Sequence, residues 1–279
     1  MGNLQNGWHC PEKTCKTQIM TTRRNKLMAG IPLKYRMTVR KLARLPRYKG
    51  SQRYCPICDS HLKCFLPVTF PAFLKDSPFV TRQNAKCPIC GSIERYRLIY
   101  LYIKQKTNLF DPPRKKMLHT APELILTEKF ATSRYVDYLS SDIDPGRIGA
   151  MVKIDLTDIA FGTDTFDVIV SSHVLEHIEN DRKALSELYR VLKPGGWAII
   201  QVPIIAEKTF TNPSAQTEEE RFRAYGKEDH VRGYGKDYKQ LLESVGFKVK
   251  VDDFVKSFSP EKIEYLGLIP DEEIYFCMK

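Results

Sequence analysis

The chain has 279 residues, of which 42% are hydrophobic and 28% charged, and its formal net charge is +11. This length allows one large domain and one small domain, with enough residues to bury a core. No apolar run approaches the roughly 18 residues of a membrane-spanning helix, and the N-terminal residues lack the apolar segment of a signal peptide. The composition therefore predicts a cytoplasmic protein with no transmembrane segment.

The positive charge is concentrated near the N-terminus. Between Lys13 and Arg53 there are 13 Lys or Arg residues and no Asp or Glu. Basic segments commonly contact phosphates on nucleic acids, anionic membranes or substrates, which makes nucleic acid and peripheral membrane contact two expectations. The alternative is a solvated, disordered leader. We interpret residues 1–50 as a basic, partly disordered arm.

Within this arm, residues 32–48 have the pattern of an amphipathic helix that Pro46 would end. Such a helix could lie on a membrane surface, but its narrow apolar side favours packing on the body of the protein. The preceding residues show no periodic apolar pattern. Cys10 and Cys15 lie in this segment, but no second cysteine pair is near them in the sequence, so we assign them no function.

Two Cys-x-x-Cys pairs are separated by 28 residues, in the stretches YCPIC and KCPIC. Each pair can direct two thiolates toward one metal, and two pairs complete a tetrahedral zinc site. The four predicted ligands are Cys55, Cys58, Cys87 and Cys90. Four thiolates leave no open coordination position on the metal, so the predicted role of zinc is structural. The alternative is a thioredoxin-like redox site, but such a site uses only one Cys-x-x-Cys pair and this chain has two. Cys64 is interpreted as a buried small residue, and the module spans 51–93.

After a linking helix within 94–114, strand and helix patterns alternate. The predicted strands cover 115–120, 134–142, 151–155, 166–172 and 197–203, and the predicted helices cover 122–132, 181–192 and 236–246. A short helix is expected in HVLEHI after the fourth strand, and Gly195 is expected to cap helix 181–192. Two C-terminal strands should form an antiparallel pair at an edge. This pattern predicts an α/β fold with helices on both faces of the sheet.

Ligands bind such sheets at the carboxyl ends of the strands, and polar residues follow the predicted strands here. Asp142, after the second strand, suits a ribose diol. Asp155, after the third strand and beside the apolar Leu156, suits an adenine, although such an Asp could instead cap a turn. The loop that follows the first strand, HTAPELIL, occupies the place of a glycine-rich loop but contains no glycine.

Residues 155–203, which read DLTDIAFGTDTFDVIVSSHVLEHIENDRKALSELYRVLKPGGWAIIQVP, carry a resemblance to a known family. They resemble class I S-adenosylmethionine-dependent methyltransferases with a type 11 domain, and the resemblance extends over 115–279. It implies a Rossmann-like, seven-stranded mixed sheet in the order 3-2-1-4-5-7-6 and S-adenosylmethionine as the cofactor.

The loop after the first strand departs from the family pattern, which is acidic-x-Gly-x-Gly-x-Gly. The alignment places His119 on the acidic position, Ala121 on the first glycine and Glu123 on the second. We expect the small Ala121 and the rigid Pro122 to replace glycine flexibility. Glu123 is expected to bind the amino group of the methionine moiety.

The resemblance and the strand ends together define a candidate site. Contacts with the cofactor are predicted for His119, Ala121, Glu123, Asp142, Asp155, Leu156 and Ser172. His173 and His230 are the candidate general bases, with a packing or cofactor role as the alternative for His173. Residues 204–235 form an insertion that resembles a substrate lid. Contacts with the acceptor are predicted for His177, Arg223, His230, Arg232 and Tyr234.

These features predict a methyltransferase that O-methylates a small-molecule or glycan-type acceptor, with the arginines favouring an anionic one. One alternative is an RNA methyltransferase that holds RNA through the zinc module and the basic arm, although no aromatic platform for splayed bases is evident. Another is a non-catalytic binding protein with a degenerate domain. The arm could also attach the protein to anionic membranes.

Overall fold

The computed structural model describes residues 30–74 and 77–279. A helix, two antiparallel hairpins and a second helix form its N-terminal part. In chain order these elements are α1 (Leu33–Tyr48), β1 (Lys49–Cys55), β2 (Ser60–Leu62), β3 (Leu66–Leu74), β4 (Ser77–Lys86) and α2 (Glu94–Lys106). Most of the predicted basic arm, with Cys10 and Cys15, lies outside the described residues.

A seven-stranded mixed sheet forms the centre of the remaining chain. Its strands are β5 (Lys115–Thr120), β6 (Val136–Asp142), β7 (Val152–Lys153), β8 (Phe166–Ser172), β9 (Leu192–Gln201), β12 (Lys248–Asp252) and β13 (Ile274–Met278). The spatial order is β7-β6-β5-β8-β9-β13-β12. In this sheet β13 runs opposite to the other six strands and pairs antiparallel with both β9 and β12. Numbered along the chain, the order is 3-2-1-4-5-7-6, and the predicted fold is confirmed.

Helices and the insertion 204–235, which was predicted to be a lid and is called the lid below, connect these strands. The helices are α3 (Leu124–Phe130), α4 (Pro145–Ile148), α5 (Asp181–Val191), α6 (Glu218–Tyr225), α7 (Tyr238–Glu243) and α8 (Pro260–Leu266). The predicted insertion 204–235 contains α6 and a parallel pair of short strands, β10 (Ile204–Ala206) and β11 (Tyr234–Gly235).

The sheet buries both of its faces because successive residues of its central strands alternate between two cores. On one side, Met117 of β5 and Val168 of β8 pack with α2 and the cysteine-bearing hairpin. On the other side, Leu118 and Ile169 pack with α5 and α7. Helices therefore cover both faces, as the alternating pattern predicts.

Three local predictions are wrong. Helix α1 continues through Pro46 to Tyr48; a proline so near the C-terminal end disturbs only the last turn. Gly195 does not cap a helix, since α5 already ends at Val191 and Gly195 adopts φ 76° inside β9. The HVLEHI segment forms only a 3₁₀ turn, Leu175–His177, rather than an α-helix.

Helix α1 packs on the body of the protein. Met37, Leu45 and Tyr48 are partly buried against the core that contains the cysteine hairpin. Arg40 forms an ion pair of 2.6 Å with the buried Glu128 of α3. Within the described residues, no helix combines the length and apolar character that crossing a bilayer requires.

Arg97 of α2 is fully buried and joins the residues around the second cysteine pair to the end of α8, which is distant in sequence. Its Nε donates to the carbonyl of Leu266 at 2.9 Å, and Nη1 donates to that of Ser92 at 2.8 Å. Its Nη2 donates to Ala85, at 2.9 Å, and to Gly267. A guanidinium holds such a set of acceptors because its donors are planar and fixed in direction.

We predict that Arg97→Met lowers the free energy of unfolding by about 3–5 kcal/mol, because it leaves buried carbonyls without donors. Urea unfolding of the purified protein measures this loss. Arg114→Met is the matched control, since Arg114 is exposed and 3.6 Å from Asp137; it should change stability by less than about 1 kcal/mol. Equal losses in the two variants would contradict the assignment.

Candidate functional site

The four predicted zinc ligands form a buried cluster. Cys55 and Cys58 come from the end of β1 and the turn after it, and Cys87 and Cys90 follow β4. The sulfurs of Cys55 and Cys90 are 3.7 Å apart, as are those of Cys58 and Cys87. Four sulfurs at about 2.3 Å from one tetrahedral zinc ion lie roughly 3.8 Å apart. The donor set and its spacing thus fit a zinc tetrathiolate.

Backbone geometry explains how the second cysteine pair turns toward the first. Gly91 adopts φ 84°, and its N–H donates to the carbonyl of Cys87 at 2.9 Å. The N–H of Ser92 then points to the sulfur of Cys90, 3.5 Å away. Cys64 is buried, as predicted, but lies outside this cluster.

A second cluster lies at the carboxyl edge of the sheet. Thr120 at the end of β5 pairs in register with Ser141 of β6 and Ser171 of β8. Ser172, the last residue of β8, pairs with Gln201 of β9. The residues that follow these strands therefore meet at one edge, where open α/β sheets bind ligands.

Glu123 is held by His119 and retains one free oxygen. His119 is fully buried; its Nδ1 is 3.0 Å from the hydroxyl of Tyr138, and its Nε2 is 2.9 Å from Oε2 of Glu123. Burial raises the pKa of Glu123, but the hydrogen bond and charge of His119 outweigh it, so the net direction is downward. Oε1 of Glu123 is buried without a hydrogen-bond partner among the described residues. A cationic ligand group would fit this oxygen.

Ala121 takes the conformation that the missing glycine would take. Its φ is 44°, in the left-handed region, and its N–H donates to Ser141 at 2.8 Å. A residue with a Cβ is strained there by roughly 1–2 kcal/mol. Helix α3 starts at Leu124, two residues after Pro122 and later than predicted.

The two predicted aspartates differ in their surroundings. Asp142 is 7% exposed, and its Oδ1 accepts from the N–H of Asp144 at 2.8 Å. Asp155 lies beyond β7, and its Oδ1 accepts from both the N–H and the hydroxyl of Thr157 at 2.8 Å. These bonds hold the pKa of Asp155 below its usual value. Asp155 thus caps a turn, and ligand contact would fall to its other oxygen.

Three further residues of the predicted site, Ser172, His173 and Leu156, follow or end strands at the carboxyl edge of the sheet. The buried Ser172 hydroxyl has no partner in the described part of the chain. His173, with φ 58°, donates its N–H to Gln201 at 2.8 Å. Burial lowers the pKa of the His173 imidazole, which therefore stays neutral near pH 7. Leu156 is buried in the core on the α5 side of the sheet.

Glu176, which the sequence did not single out, is buried beside His173. The two side chains are 3.3 Å apart between Nδ1 and Oε1, outside hydrogen-bond geometry. Burial raises the pKa of Glu176, but His173 more than offsets this, so the carboxyl is ionised. The rings of His177 and His230 approach at 4.8 Å between centroids. Burial also lowers the pKa of His230.

The other residues of the insertion 204–235 that were predicted to contact the acceptor make contacts within the protein. Arg223 is largely exposed and ion-paired with Glu219 one turn away. Arg232 donates to the carbonyls of Ile178 and Glu179, at 2.5 and 2.7 Å. The fully buried Tyr234 donates to Asp181 at 2.7 Å. Arg232 and Tyr234 therefore fasten this part of the insertion to the turn after β8, and their assignment as acceptor contacts stays a prediction.

Sequence reasoning also missed Arg95 and Glu272. Arg95 of α2 is close enough to influence the charges of Glu123, His173 and Glu272. Burial raises the pKa of Glu272 to about 7, and its Oε2 has no partner among the described residues. Arg95 is brought here by the packing of α2, and Glu272 by its place two residues before β13; neither belongs to the strand-end motifs that the sequence analysis considered.

Comparison with known proteins finds similarity to methyltransferases. A family model described as "Methyltransferase domain" matches residues 125–200. This part of the chain is therefore similar to methyltransferase domains. A demethylmenaquinone methyltransferase of Clavibacter sepedonicus is 47% identical over 49 residues, which cover 18% of this chain and 20% of that protein. A human thiol S-methyltransferase, TMT1B, is 27% identical over 148 residues, covering 50% and 57%.

Solved structures include a SAM-dependent methyltransferase from Archaeoglobus fulgidus, with 19% identity and a TM-score of 0.44 over 65% of this chain and 93% of that one. The methyltransferase from Mesorhizobium loti has 14% identity and a TM-score of 0.43 over 62% and 95%. The chain spans 20% of the length of the C. sepedonicus protein and 57% of the human one.

We predict that Ala121→Gly stabilises the fold by about 1 kcal/mol, because it relieves a Cβ in the left-handed region. Thermal unfolding of the two proteins measures the change. Ala131→Gly is the control: Ala131 ends α3 with φ −68°, so glycine should there destabilise by about 0.5–1 kcal/mol. A loss of stability in Ala121→Gly would contradict the strain.

Proposed function

We propose that this protein transfers a methyl group from S-adenosylmethionine to a small-molecule acceptor. The observation that carries the proposal is the free, buried Oε1 of Glu123 at the edge of a sheet with methyltransferase topology. A buried ionised carboxylate is costly unless a cation pairs with it. The ammonium of the methionine moiety supplies that cation.

The ribose and the adenine of the cofactor would bind residues at the ends of the next two strands. Asp142 would accept from the ribose hydroxyls and the outer oxygen of Asp155 from the adenine amine, with Leu156 against the ring. S-adenosylmethionine carries no pyrophosphate, so the glycine-free loop after β5 need not wrap phosphates. His119 acts through Glu123, because both of its ring nitrogens already have partners.

The acceptor would lie beside His173, between the end of β8 and the lid. The names of the curated relatives, which include quinone and thiol methyltransferases, favour a small molecule. We propose an oxygen acceptor, for which His173 or His230 removes the proton. Arg95 and the acidic Glu272 adjoin this space, so an acceptor with both polar and charged groups fits.

Zinc is the second cofactor that we propose. The spacing of the four sulfurs supports one structural ion per chain. The fully buried Arg97 lies close enough to influence the charges of Cys55, Cys87 and Cys90. A zinc tetrathiolate has a formal charge of −2, so the guanidinium compensates part of it.

We predict that Glu123→Gln weakens S-adenosylmethionine binding by about 10- to 100-fold, the effect of losing a charged hydrogen bond worth roughly 1.5–3 kcal/mol. Isothermal titration calorimetry measures the dissociation constants. Glu218→Gln, at an exposed position on α6, should leave affinity unchanged. If the unaltered protein does not bind S-adenosylmethionine, the proposed function fails; if only the Glu123 variant binds normally, the role of Glu123 fails.

We predict one tightly bound zinc ion per chain, lost in Cys87→Ser, because three thiolates hold the ion less firmly than four. Elemental analysis of purified protein gives the stoichiometry. Cys277→Ser is the control, since Cys277 is buried in β13 outside the cluster. Full zinc content in Cys87→Ser would show that these thiolates are not the ligands.

A further inference from the structure

Glu176, His177 and His230 form a second cluster of metal-ligand type, at the methyl-acceptor side of the sheet. Each offers one ligand atom, and these atoms lie within 4.8 Å of one another. Ligands about 2.1 Å from a tetrahedral zinc lie roughly 3.4 Å apart. Small side-chain rotations would therefore close the cluster around an ion.

The strongest evidence comes from Glu176. It is 1% exposed, and neither of its carboxylate oxygens has a hydrogen-bond partner among the described residues. An ionised carboxylate buried in this way is costly unless it is paired or coordinates a metal. His173 lies 3.3 Å from Oε1 of Glu176 but outside hydrogen-bond geometry. Arg232, in the neighbouring segment, is committed to backbone carbonyls and Asp181.

His177 is oriented as metal-binding histidines usually are. Its Nδ1 lies 3.1 Å from the carbonyl of Asp229 and 3.4 Å from the carboxylate of the same residue. A proton on Nδ1 leaves the lone pair on Nε2, the arrangement in which a second partner fixes the tautomer of a metal ligand.

The lid brings His230 to the other two residues through fixed backbone contacts. The N–H of Val231 donates to the carbonyl of Glu176 at 2.9 Å. Arg232, two residues after His230, anchors the same segment of the lid to the turn at Ile178 and Glu179. The position of His230 is thus determined by the fold and does not depend on a free loop.

We propose that Glu176, His177 and His230 bind a divalent first-row transition metal. Two imidazoles and one carboxylate suit zinc, iron or manganese, and three protein ligands leave coordination positions open. This site differs from the closed four-cysteine cluster, where no position is left for a substrate.

The role of this metal in catalysis rests on the proposed function. An acceptor hydroxyl in an open position would have its pKa lowered by the ion. With His230 bound to the metal, His173 or water is left as the proton acceptor. The O–H bond of the acceptor then breaks, its proton passes to His173 or to water, and the oxygen bonds to the methyl carbon of S-adenosylmethionine. The S–CH₃ bond breaks and its electron pair stays on sulfur. The substrate class is therefore a hydroxyl compound that can bind a divalent ion through oxygen.

Manganese(II) is the probe, because it prefers oxygen and nitrogen ligands and does not compete well for thiolates. Titration of the full chain, carrying zinc at its cysteines, should show one Mn²⁺ bound by electron paramagnetic resonance. His230→Ala and Glu176→Gln should each weaken it at least tenfold. The controls His61→Ala and Glu179→Gln should not, because His61 is exposed and bonded to Tyr265, and Glu179 is exposed.

Because Glu176→Gln could disturb the fold, the lid variant His230→Ala is the deciding variant. Calorimetry of S-adenosylmethionine binding shows whether each variant is folded. Unchanged Mn²⁺ affinity in His230→Ala, or no Mn²⁺ binding by the unaltered protein, overturns the metal site. Mn²⁺ binding without S-adenosylmethionine binding would overturn the proposed function and leave the metal site standing.

Discussion

The buried guanidinium of Arg97 is the interaction on which the arrangement of this molecule depends. It binds Ala85 and Ser92 on the two sides of the second cysteine pair, and Leu266 and Gly267 at the end of α8. Gly267 is suited to this position because a Cβ there would lie 2.5 Å from the ring of Phe65. One side chain thus holds the cysteine hairpins against the C-terminal part of the domain. Its positive charge also favours thiolates, and therefore a metal, at the neighbouring cluster.

This arrangement places the cysteine hairpins beside the proposed cofactor site. Their core residues and those of one sheet face form one continuous cluster, and α2, which follows the hairpins directly, supplies Arg95 to the strand-end site. Gly91 and Cys90 line a cavity of about 160 Å³ together with Glu123, Leu124 and Arg40. The turn at Cys90 and Gly91 therefore lies directly against the proposed methionine-binding loop, so the proposed zinc would act on cofactor binding through packing alone.

The sequence predicts the sheet well because its information is local and periodic. The alternation of Val168, Ile169 and Val170 specifies a strand buried on two faces, and the block after Asp155 carries the family resemblance that implies the strand order. The lid is different. Nothing in the sequence tells whether Arg232 faces a substrate or the carbonyls of residues 178 and 179, since both environments favour arginine. Glu176 escaped notice for the same reason: its importance lies in the lack of a partner, which only tertiary structure reveals.

The strain at the strand ends links the missing glycines to function. Ala121 after β5 and His173 after β8 both have positive φ, at the ends of two adjacent parallel strands. Each costs roughly 1–2 kcal/mol in a residue with a Cβ, and such strain persists only where surrounding contacts fix the backbone. Those contacts are the bonds from Ala121 to Ser141 and from His173 to Gln201, which tie each turn to the neighbouring strand. The rigid edge of the sheet, rather than glycine flexibility, therefore shapes the loop that we propose approaches the cofactor. The His173 side chain lies beside Glu176 at the second strained turn, so the same backbone constraint acts on the proposed cofactor side and on the proposed acceptor side of the site.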